Sequence, residues 1–128
     1  MCIRDRPFLD LPLGVDTFRN AGSMLGTCCA TVMSDVTDPV LALHNVMRFY
    51  RHESCGQCTP CRVGCDKAVA LLERGEWDGK LLNELAQTMR DASICGLGQA
   101  APNAFITALE HFTDAAAGTD VAGQPDRY

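Results

Sequence analysis

The sequence predicts a mainly α fold, an antiparallel bundle of four helices between residues 37 and 114. Asp38-Pro39 and Thr59-Pro60 are typical helix starts, because an N-cap residue or a proline in the first turn favours initiation. Apolar residues recur at three- and four-residue spacing in the segments that follow. The connections are short, which places consecutive helices side by side in opposite directions.

Composition limits what kind of protein this is. The 128 residues suffice for one small domain with a modest core, and the net charge of −5 argues against a nucleic-acid partner. No stretch approaches the ~18 apolar residues of a membrane span, and no secretion signal opens the chain. Eight cysteines therefore favour metal or redox chemistry over disulfides, in a reducing, cytoplasmic compartment.

Residues 7–36 predict β structure more than helix. The run Thr27–Met33 contains β-branched residues and predicts one strand. One or two strands cannot bury both faces, so we expect this segment to lean on the helical part or to be poorly ordered. Cys28 and Cys29 would point to opposite faces of the strand. We therefore interpret them as small buried side chains rather than as ligands of one metal.

The first two helices of the bundle have clear predicted limits. The first starts after Asp38 and runs to about His52, with Val40, Leu43, Met47 and Tyr50 on one face. The second starts at Thr59-Pro60 and runs to about Arg74. Gly75 suits a left-handed cap at its end.

The third and fourth helices are predicted from a cap and from apolar spacing. Asp78 can cap the third helix, with Trp77 placed to pack on Leu82. The fourth runs from about Gly98 to Thr113, and Pro102 is acceptable there only if it falls in the first turn. From residue 115 to residue 128 the sequence loses periodicity and predicts a disordered tail.

Three cysteines lie at C-x2-C-x2-C spacing from the end of the first helix to the first turn of the second: Cys55, Cys58 and Cys61. This spacing brings three sulfurs within reach of one [4Fe-4S] cubane, which needs four thiolates. Cys95 is the better candidate for the fourth, because it lies between two helical patterns where a turn can aim its sulfur at the other three. A structural zinc ion is the alternative, although zinc usually takes two well-separated C-x2-C pairs.

Cys65 is a second candidate for the fourth thiolate, because it completes the ferredoxin-like run C-x2-C-x2-C-x3-C. Asp66 stands where ferredoxins have proline, and the other cysteines form no second triple. Cys65 also lies one helical turn after Cys61. Two interpretations stay open for it, a substitute ligand and a packed helix residue.

The surroundings of the cysteine loop favour negative charge. Cys61 falls in the first turn of a helix, where free N–H groups and the helix dipole stabilise thiolates. Residues 48–67 carry four basic side chains against two acidic ones, a local charge of +2 in an acidic chain. Glycines 56, 96 and 98 can aim backbone N–H groups at sulfur.

Two cysteine motifs and the end of the helical part together resemble one family. ESCGQCTPCRVG, SICGLGQAAPNAF and the closing ALEHF resemble the flavoprotein subunit of NADH-oxidising complexes, the 51-kilodalton-type NADH dehydrogenase subunit. The same subunit type occurs in NAD-linked formate dehydrogenases and NAD-reducing hydrogenases. The resemblance covers roughly residues 7–112. It implies a [4Fe-4S] cluster held by Cys55, Cys58, Cys61 and Cys95, and it makes residues 7–36 the remnant of a ubiquitin-like (SLBB-like) β-domain.

The resemblance also implies a role within a complex. NADH would reduce FMN, and the cluster would take electrons singly for the next carrier. The FMN and NADH sites would lie upstream of this chain, which then contains no catalytic residue of its own. A thioredoxin-like [2Fe-2S] subunit and a larger iron–sulfur subunit are the expected partners. The complex would be cytoplasmic or peripheral to the inner membrane.

Residues 1–6, MCIRDR, resemble the translation of a transposon-end adapter from sequencing libraries. On this hypothesis the start is artificial and Cys2 belongs to no site. An ordinary disordered N-terminus is the alternative. Intact codons for these residues in an independently sequenced gene would favour that alternative.

Overall fold

The computed structural model describes residues 10–21, 23–26, 31–34, 36–75 and 78–112. The chain divides into two units, Met1–Thr37 and Asp38–Tyr128. The described part is mainly helical and contains five helices and no strand. Every helix in this part is too short or too polar to cross a membrane.

The first unit contains a short helix that the sequence analysis missed. Helix α1 spans Val15–Asn20 and buries none of its residues. Its N-cap, Gly14, has no side chain that could signal the start, which explains why the helix was not predicted. Arg19 pairs with Asp16 at 3.3 Å on the exposed side, a contact that contributes little stability.

The strand predicted at Thr27–Met33 is absent from the part of this run that the structure describes. Residues 31–34 are irregular, and the side chain of Val32 is 95% exposed. A strand needs a paired neighbour and a covered face, and the described residues offer neither. Cys28 and Cys29, the six N-terminal residues, Trp77 and the predicted tail lie outside the described residues.

The described residues of the second unit form four longer helices. They are α2 (Pro39–Glu53), α3 (Thr59–Glu73), α4 (Gly79–Ala92) and α5 (Gly96–His111). Asp38 caps α2 by accepting from the Val40 N–H at 2.8 Å, as predicted. Asp78 caps α4 in the same way, accepting from the N–H groups of Lys80 and Leu81.

The end of α3 also follows the prediction. Gly75 adopts a left-handed φ of +67° just after the helix, and its N–H donates to the Leu72 carbonyl at 3.1 Å. A residue with a Cβ atom would be strained in this conformation, so glycine is the natural choice at this cap.

Helices α2 to α5 share one core. Helix α3 contacts each of the other three, and α5 contacts both α2 and α4. The largest fully buried side chains include Phe105, Met47, Leu72, Leu82 and Met89. These residues come from all four helices, so no helix can bury its apolar side without the others.

Helix α5 corrects the prediction for Pro102. The helix begins at Gly96 rather than at Gly98, so Pro102 is its seventh residue and lies in its interior. Proline there cannot donate to the carbonyl four residues earlier. The Pro102 ring is fully buried in the core, and this burial helps to offset the missing hydrogen bond.

Candidate metal centre

A single pocket brings together the four cysteines singled out from the sequence. It lies where the loop after α2 meets the first turns of α3 and α5. Its lining contains Cys55, Cys58, Cys61 and Cys95, with Glu53, Ser54, Gln57 and Leu97 around them. Cys95 is 34 residues after Cys61 in the chain, so only the packing of the helices makes it a neighbour.

Two helix N-termini meet at this pocket. Cys58 is the N-cap of α3 and Cys61 is the third residue of the same helix. Cys95 is the N-cap of α5, a position that the predicted start at Gly98 did not anticipate. The first-turn N–H groups of a helix have no partners within it, and the positive end of the dipole lies there. The pocket therefore favours negatively charged sulfur from two directions.

The four thiols differ in depth. Cys61 is buried and Cys58 is partly buried, whereas Cys55 and Cys95 are exposed, and all four are free of disulfide bonds. The pocket consequently has a closed side, formed by α3 against the core, and an open side at Cys55 and Cys95.

Local contacts hold the loop between α2 and α3 in shape. Gly56 has a φ of +75°, which a side chain would strain, and its N–H donates to the Ser54 Oγ at 3.4 Å. The guanidinium of Arg62 donates to the Gly56 carbonyl. The first turn of α3 is thus tied back to the loop that carries Cys55.

Hydrogen-bond donors surround the Cys58 sulfur. The backbone N–H of Ile94 makes the largest contribution to lowering the pKa of the Cys58 thiol, and the N–H of Cys61 adds to it. The hydroxyl of Ser93 contributes in the same direction. These donors favour the thiolate form of Cys58, and the thiolate is the form of cysteine that can bind iron.

The Cys61 sulfur has a hydroxyl neighbour of its own. Ser54 Oγ lies 3.4 Å from Cys61 Sγ, within hydrogen-bond range for sulfur. On the other side of Cys61, Gly98 of α5 approaches closely. A Cβ atom at Gly98 would lie 2.8 Å from the Cβ of Cys61 and 2.5 Å from Ser93 Oγ, distances that side chains do not tolerate.

Cys65 lies in the core behind the pocket. It is fully buried and does not line the pocket with the other four cysteines. Burial raises the pKa of the Cys65 thiol to about 12, and the charge of nearby Cys61 adds to this effect. Of the two interpretations of Cys65, its position supports a packed helix residue.

The donor set is four cysteine thiols around one pocket, the number that a [4Fe-4S] cluster needs. In the described part of the chain, no three His, Cys, Asp or Glu side chains are arranged to hold one metal ion. Tetrahedral zinc would require its thiolates at ~2.3 Å from one point. In a cubane each thiolate bonds to its own iron, so a pocket lined by four cysteines suits that group.

Three residues of this site were not singled out as such from the sequence. Ser54 and Ser93 precede Cys55 and Cys95 in the two motifs, but their spacing alone does not indicate a contact with sulfur. Gly98 was considered only for its backbone freedom. Its actual importance is the lack of a side chain where α5 crosses Cys61.

Comparison with known proteins agrees with this geometry. A family described as the NADH-ubiquinone oxidoreductase-F iron-sulfur binding region matches residues 41–118, which include all four pocket cysteines. The fold and the pocket thus define an iron–sulfur-binding helical region. The chain belongs to this NADH-ubiquinone oxidoreductase-F family of iron–sulfur-binding regions.

Individual relatives carry similar names. The F subunit of the NADH-quinone oxidoreductase of Mycobacterium bovis is 38% identical over 112 residues, which cover 83% of this chain and 25% of the relative. The mitochondrial NADH-ubiquinone oxidoreductase 51 kDa subunit of Neurospora crassa is 41% identical over 91 residues, covering 66% of this chain and 18% of the relative. The chain spans about a quarter or less of the length of these relatives.

A solved structure shares the fold. The match is a chain of an NAD+-reducing [NiFe]-hydrogenase in the H2-reduced state, with a TM-score of 0.62 and 34% sequence identity. It covers 76% of this chain and 18% of the hydrogenase chain.

Proposed function

We propose that this chain holds one [4Fe-4S] cluster and transfers single electrons through it, as the cluster domain of an NADH-oxidising flavoprotein subunit. The observation that carries this proposal is the meeting of four cysteines in one pocket at the N-termini of α3 and α5. Membership of an iron–sulfur-binding family supports it independently.

The proposed ligands are Cys55, Cys58, Cys61 and Cys95. When bound, the cluster supplies one-electron chemistry at a potential set by charge, hydrogen bonds and exposure. The chain's own part is to keep the sulfurs deprotonated and correctly spaced. The helix N-termini and the donors around Cys58 favour the deprotonated sulfurs. The fixed loop around Gly56 keeps the sulfurs correctly spaced.

The proposed architecture extends the described helices. Residues 37–114 form the cluster domain, with α2 to α5 as an antiparallel four-helix bundle. Residues 7–36 are proposed to be a remnant of a ubiquitin-like β-domain. The division of the chain near Thr37 supports the boundary at the start of the cluster domain.

In the intact protein, electrons would pass from NADH to FMN, to the cluster and then to the next carrier. Because this chain spans about a quarter of its bacterial relatives, the FMN and NADH sites are proposed to lie in the part it does not cover. A thioredoxin-like [2Fe-2S] subunit and a larger iron–sulfur subunit are the proposed partners. The proposed location is cytoplasmic, at the membrane only through the complex.

The same module would also serve an NAD-reducing hydrogenase or an NAD-dependent formate dehydrogenase. The structural similarity to a chain of an NAD+-reducing [NiFe]-hydrogenase supports the hydrogenase as a second candidate, in addition to a respiratory complex. Formate dehydrogenase stays a prediction from the motifs. The genes next to this one would distinguish a respiratory complex, a hydrogenase and a formate dehydrogenase, since each complex needs a different neighbouring catalytic subunit.

The test of the proposed function is anaerobic reconstitution of the 128-residue chain with iron and sulfide, followed by EPR spectroscopy. We expect about four irons per chain and an EPR signal that appears only after dithionite reduction. A colourless protein that binds one zinc ion and gives no such signal would overturn the proposal. The chain would then be a structural zinc module.

A further inference from the structure

We propose that the hydroxyls of Ser54 and Ser93 are positioning residues that donate O–H···S hydrogen bonds to Cys61 and Cys58 and thereby raise the reduction potential of the bound group. This inference rests on the proposed function, because it concerns how the same pocket treats its cluster. Neither serine is among the four ligands.

The geometry at Ser54 identifies its hydroxyl as a donor. Ser54 Oγ lies 3.4 Å from Cys61 Sγ, and the same oxygen accepts the N–H of Gly56. In the free chain either the hydroxyl or the thiol could supply the hydrogen. A thiolate bound to iron carries no proton, so the hydroxyl must then be the donor. The bond from Gly56 occupies the oxygen as an acceptor and leaves its hydrogen for the sulfur.

Ser93 is the more deeply buried of the two. The residue is 6% exposed, and its Oγ has no hydrogen-bond partner of standard geometry. Its backbone is held on both sides, since its N–H donates to the Met89 carbonyl at 3.1 Å and its carbonyl accepts from the Gln99 side chain at 3.0 Å. A buried hydroxyl without a partner costs free energy, so a hydroxyl fixed in this place needs an acceptor in the pocket.

The Cys58 sulfur is the acceptor that the structure offers to Ser93. The Ser93 hydroxyl helps to lower the pKa of the Cys58 thiol, although it makes no hydrogen bond of standard geometry in the free chain. Gly98 closes the other side of Ser93, because even a single Cβ atom at Gly98 would lie 2.5 Å from its Oγ. The hydroxyl therefore sits between α5 and the pocket with sulfur as its available acceptor.

Two hydroxyls on two different sulfurs give a defined electrostatic effect. One-electron reduction adds one negative charge to the cluster and its thiolates. Donors aimed at the sulfurs stabilise that charge, and such hydrogen bonds set the potential of iron–sulfur sites. Removing a donor should make reduction harder.

The experiment measures the reduction potential of the reconstituted 128-residue chain by EPR-monitored redox titration. Ser54→Ala and Ser93→Ala should each lower the equilibrium constant for reduction about tenfold, which is about 59 mV for a one-electron couple. The double variant should lower it about a hundredfold, because the hydroxyls serve different sulfurs. Ser54→Thr keeps a hydroxyl and should restore the wild-type potential.

Thr88→Ala is the matched control. Its hydroxyl is bonded to the Glu84 carbonyl at 2.9 Å on the exposed side of α4, away from the pocket. Its removal should leave the potential unchanged. Pulsed EPR on reduced protein in D2O should also show an exchangeable hydrogen near the cluster that Ser54→Ala lacks.

The outcomes separate this inference from the proposed function. A wild-type chain that assembles no cluster defeats the proposed function itself. If the wild type loads normally and both alanine variants keep its potential, the inference alone is overturned. An alanine variant at Ser54 that folds without a cluster, or fails to fold, also overturns it, because the hydroxyl would then be needed for assembly.

Discussion

Cys58 shows at the scale of one residue how the surroundings of a cysteine favour its thiolate form. Cys58 is the N-cap of α3, and its sulfur accepts hydrogen bonds from the backbone N–H groups of Cys61 and Ile94. These two residues are 33 positions apart in the chain. Cys65, only one helical turn beyond Cys61, is enclosed by the core, and burial raises its pKa to about 12. Cysteines that look equivalent in the sequence thus differ through their surroundings.

This difference predicts which cysteine holds iron. Cys58→Ser should lose the cluster, and Cys65→Ala should retain about four irons per chain after reconstitution. The physical reason is that Cys58 faces the pocket as a stabilised thiolate, whereas Cys65 packs behind it. Iron and sulfide content, measured together with the visible spectrum, checks both variants. Unchanged iron in Cys58→Ser would contradict the ligand assignment.

The first turn of α5 offers a second test at the residue scale. Gly98→Ala should lose most of its bound iron and cost about 1–3 kcal/mol of stability, because the new Cβ collides with Cys61 and Ser93. Gly96→Ala is the matched control two residues earlier, where a Cβ atom meets nothing within 4 Å. Iron content and urea unfolding should therefore separate the two variants. Equal behaviour would show that the approach of α5 to Cys61 does not matter.

At the scale of helices, the packing of α3 against α4 depends on another missing side chain. Gly64 is buried in α3, and a Cβ atom there would lie 2.5 Å from the sulfur and 2.6 Å from the Cγ of Met89. Met89 is itself fully buried, so it has little room to move. The two helices can approach this closely only because position 64 is glycine.

Gly64→Ala should therefore destabilise the protein despite its better helix propensity. Overpacking costs about 1–3 kcal/mol, and alanine returns at most about 1 kcal/mol of propensity. Urea unfolding followed by circular dichroism measures the difference. Gly79→Ala in the first turn of α4 is the control, because a Cβ atom there meets nothing within 4 Å. A Gly64→Ala midpoint at or above that of wild type would contradict the close-packing argument.

The helix limits themselves illustrate what local sequence can and cannot specify. The starts of α2 and α4 follow from Asp38 and Asp78, whose carboxylates accept first-turn N–H groups. The start of α5 at Gly96 and the existence of α1 have no side-chain cap to announce them. Where capping is done by backbone alone, sequence patterns lose their strongest signal.

At the scale of the whole molecule, charge and size define what the chain can do by itself. The whole chain has a net charge of −5, whereas residues 48–67, which include the cysteine loop, have a net charge of +2, so the pocket lies in the less acidic part of the chain. The chain covers 25% of its Mycobacterium bovis relative. A cluster domain of the proposed kind needs a separate donor site to be reduced by NADH.

We therefore predict that the reconstituted 128-residue chain does not reduce ferricyanide with NADH as the electron donor. Dithionite should still reduce the cluster in the same sample, and this serves as the positive control. The assay follows ferricyanide absorbance with and without NADH and added FMN. NADH-dependent activity above the protein-free background would show that the chain contains a nucleotide site of its own.

The sequence by itself determined the local features of this protein. The triple of cysteines, the capped starts of α2 and α4 and the left-handed glycine after α3 all depend on residues within a few positions of one another. Such short-range geometry follows from spacing and backbone preference. Within the predicted strand at Thr27–Met33, the described residues 31–33 are irregular, because a strand is stabilised by neighbours that the local pattern does not contain.

Only the tertiary structure decided how the distant parts combine. It brought Cys95 beside the triple at a second helix N-terminus, buried Cys65 away from the pocket and packed Ser93 against Gly98. It also accommodated Pro102 inside α5 by burying its ring. These outcomes depend on the packing of α2 to α5 around one core. Packing sums many weak contacts between residues far apart in the chain, and no local pattern encodes that sum.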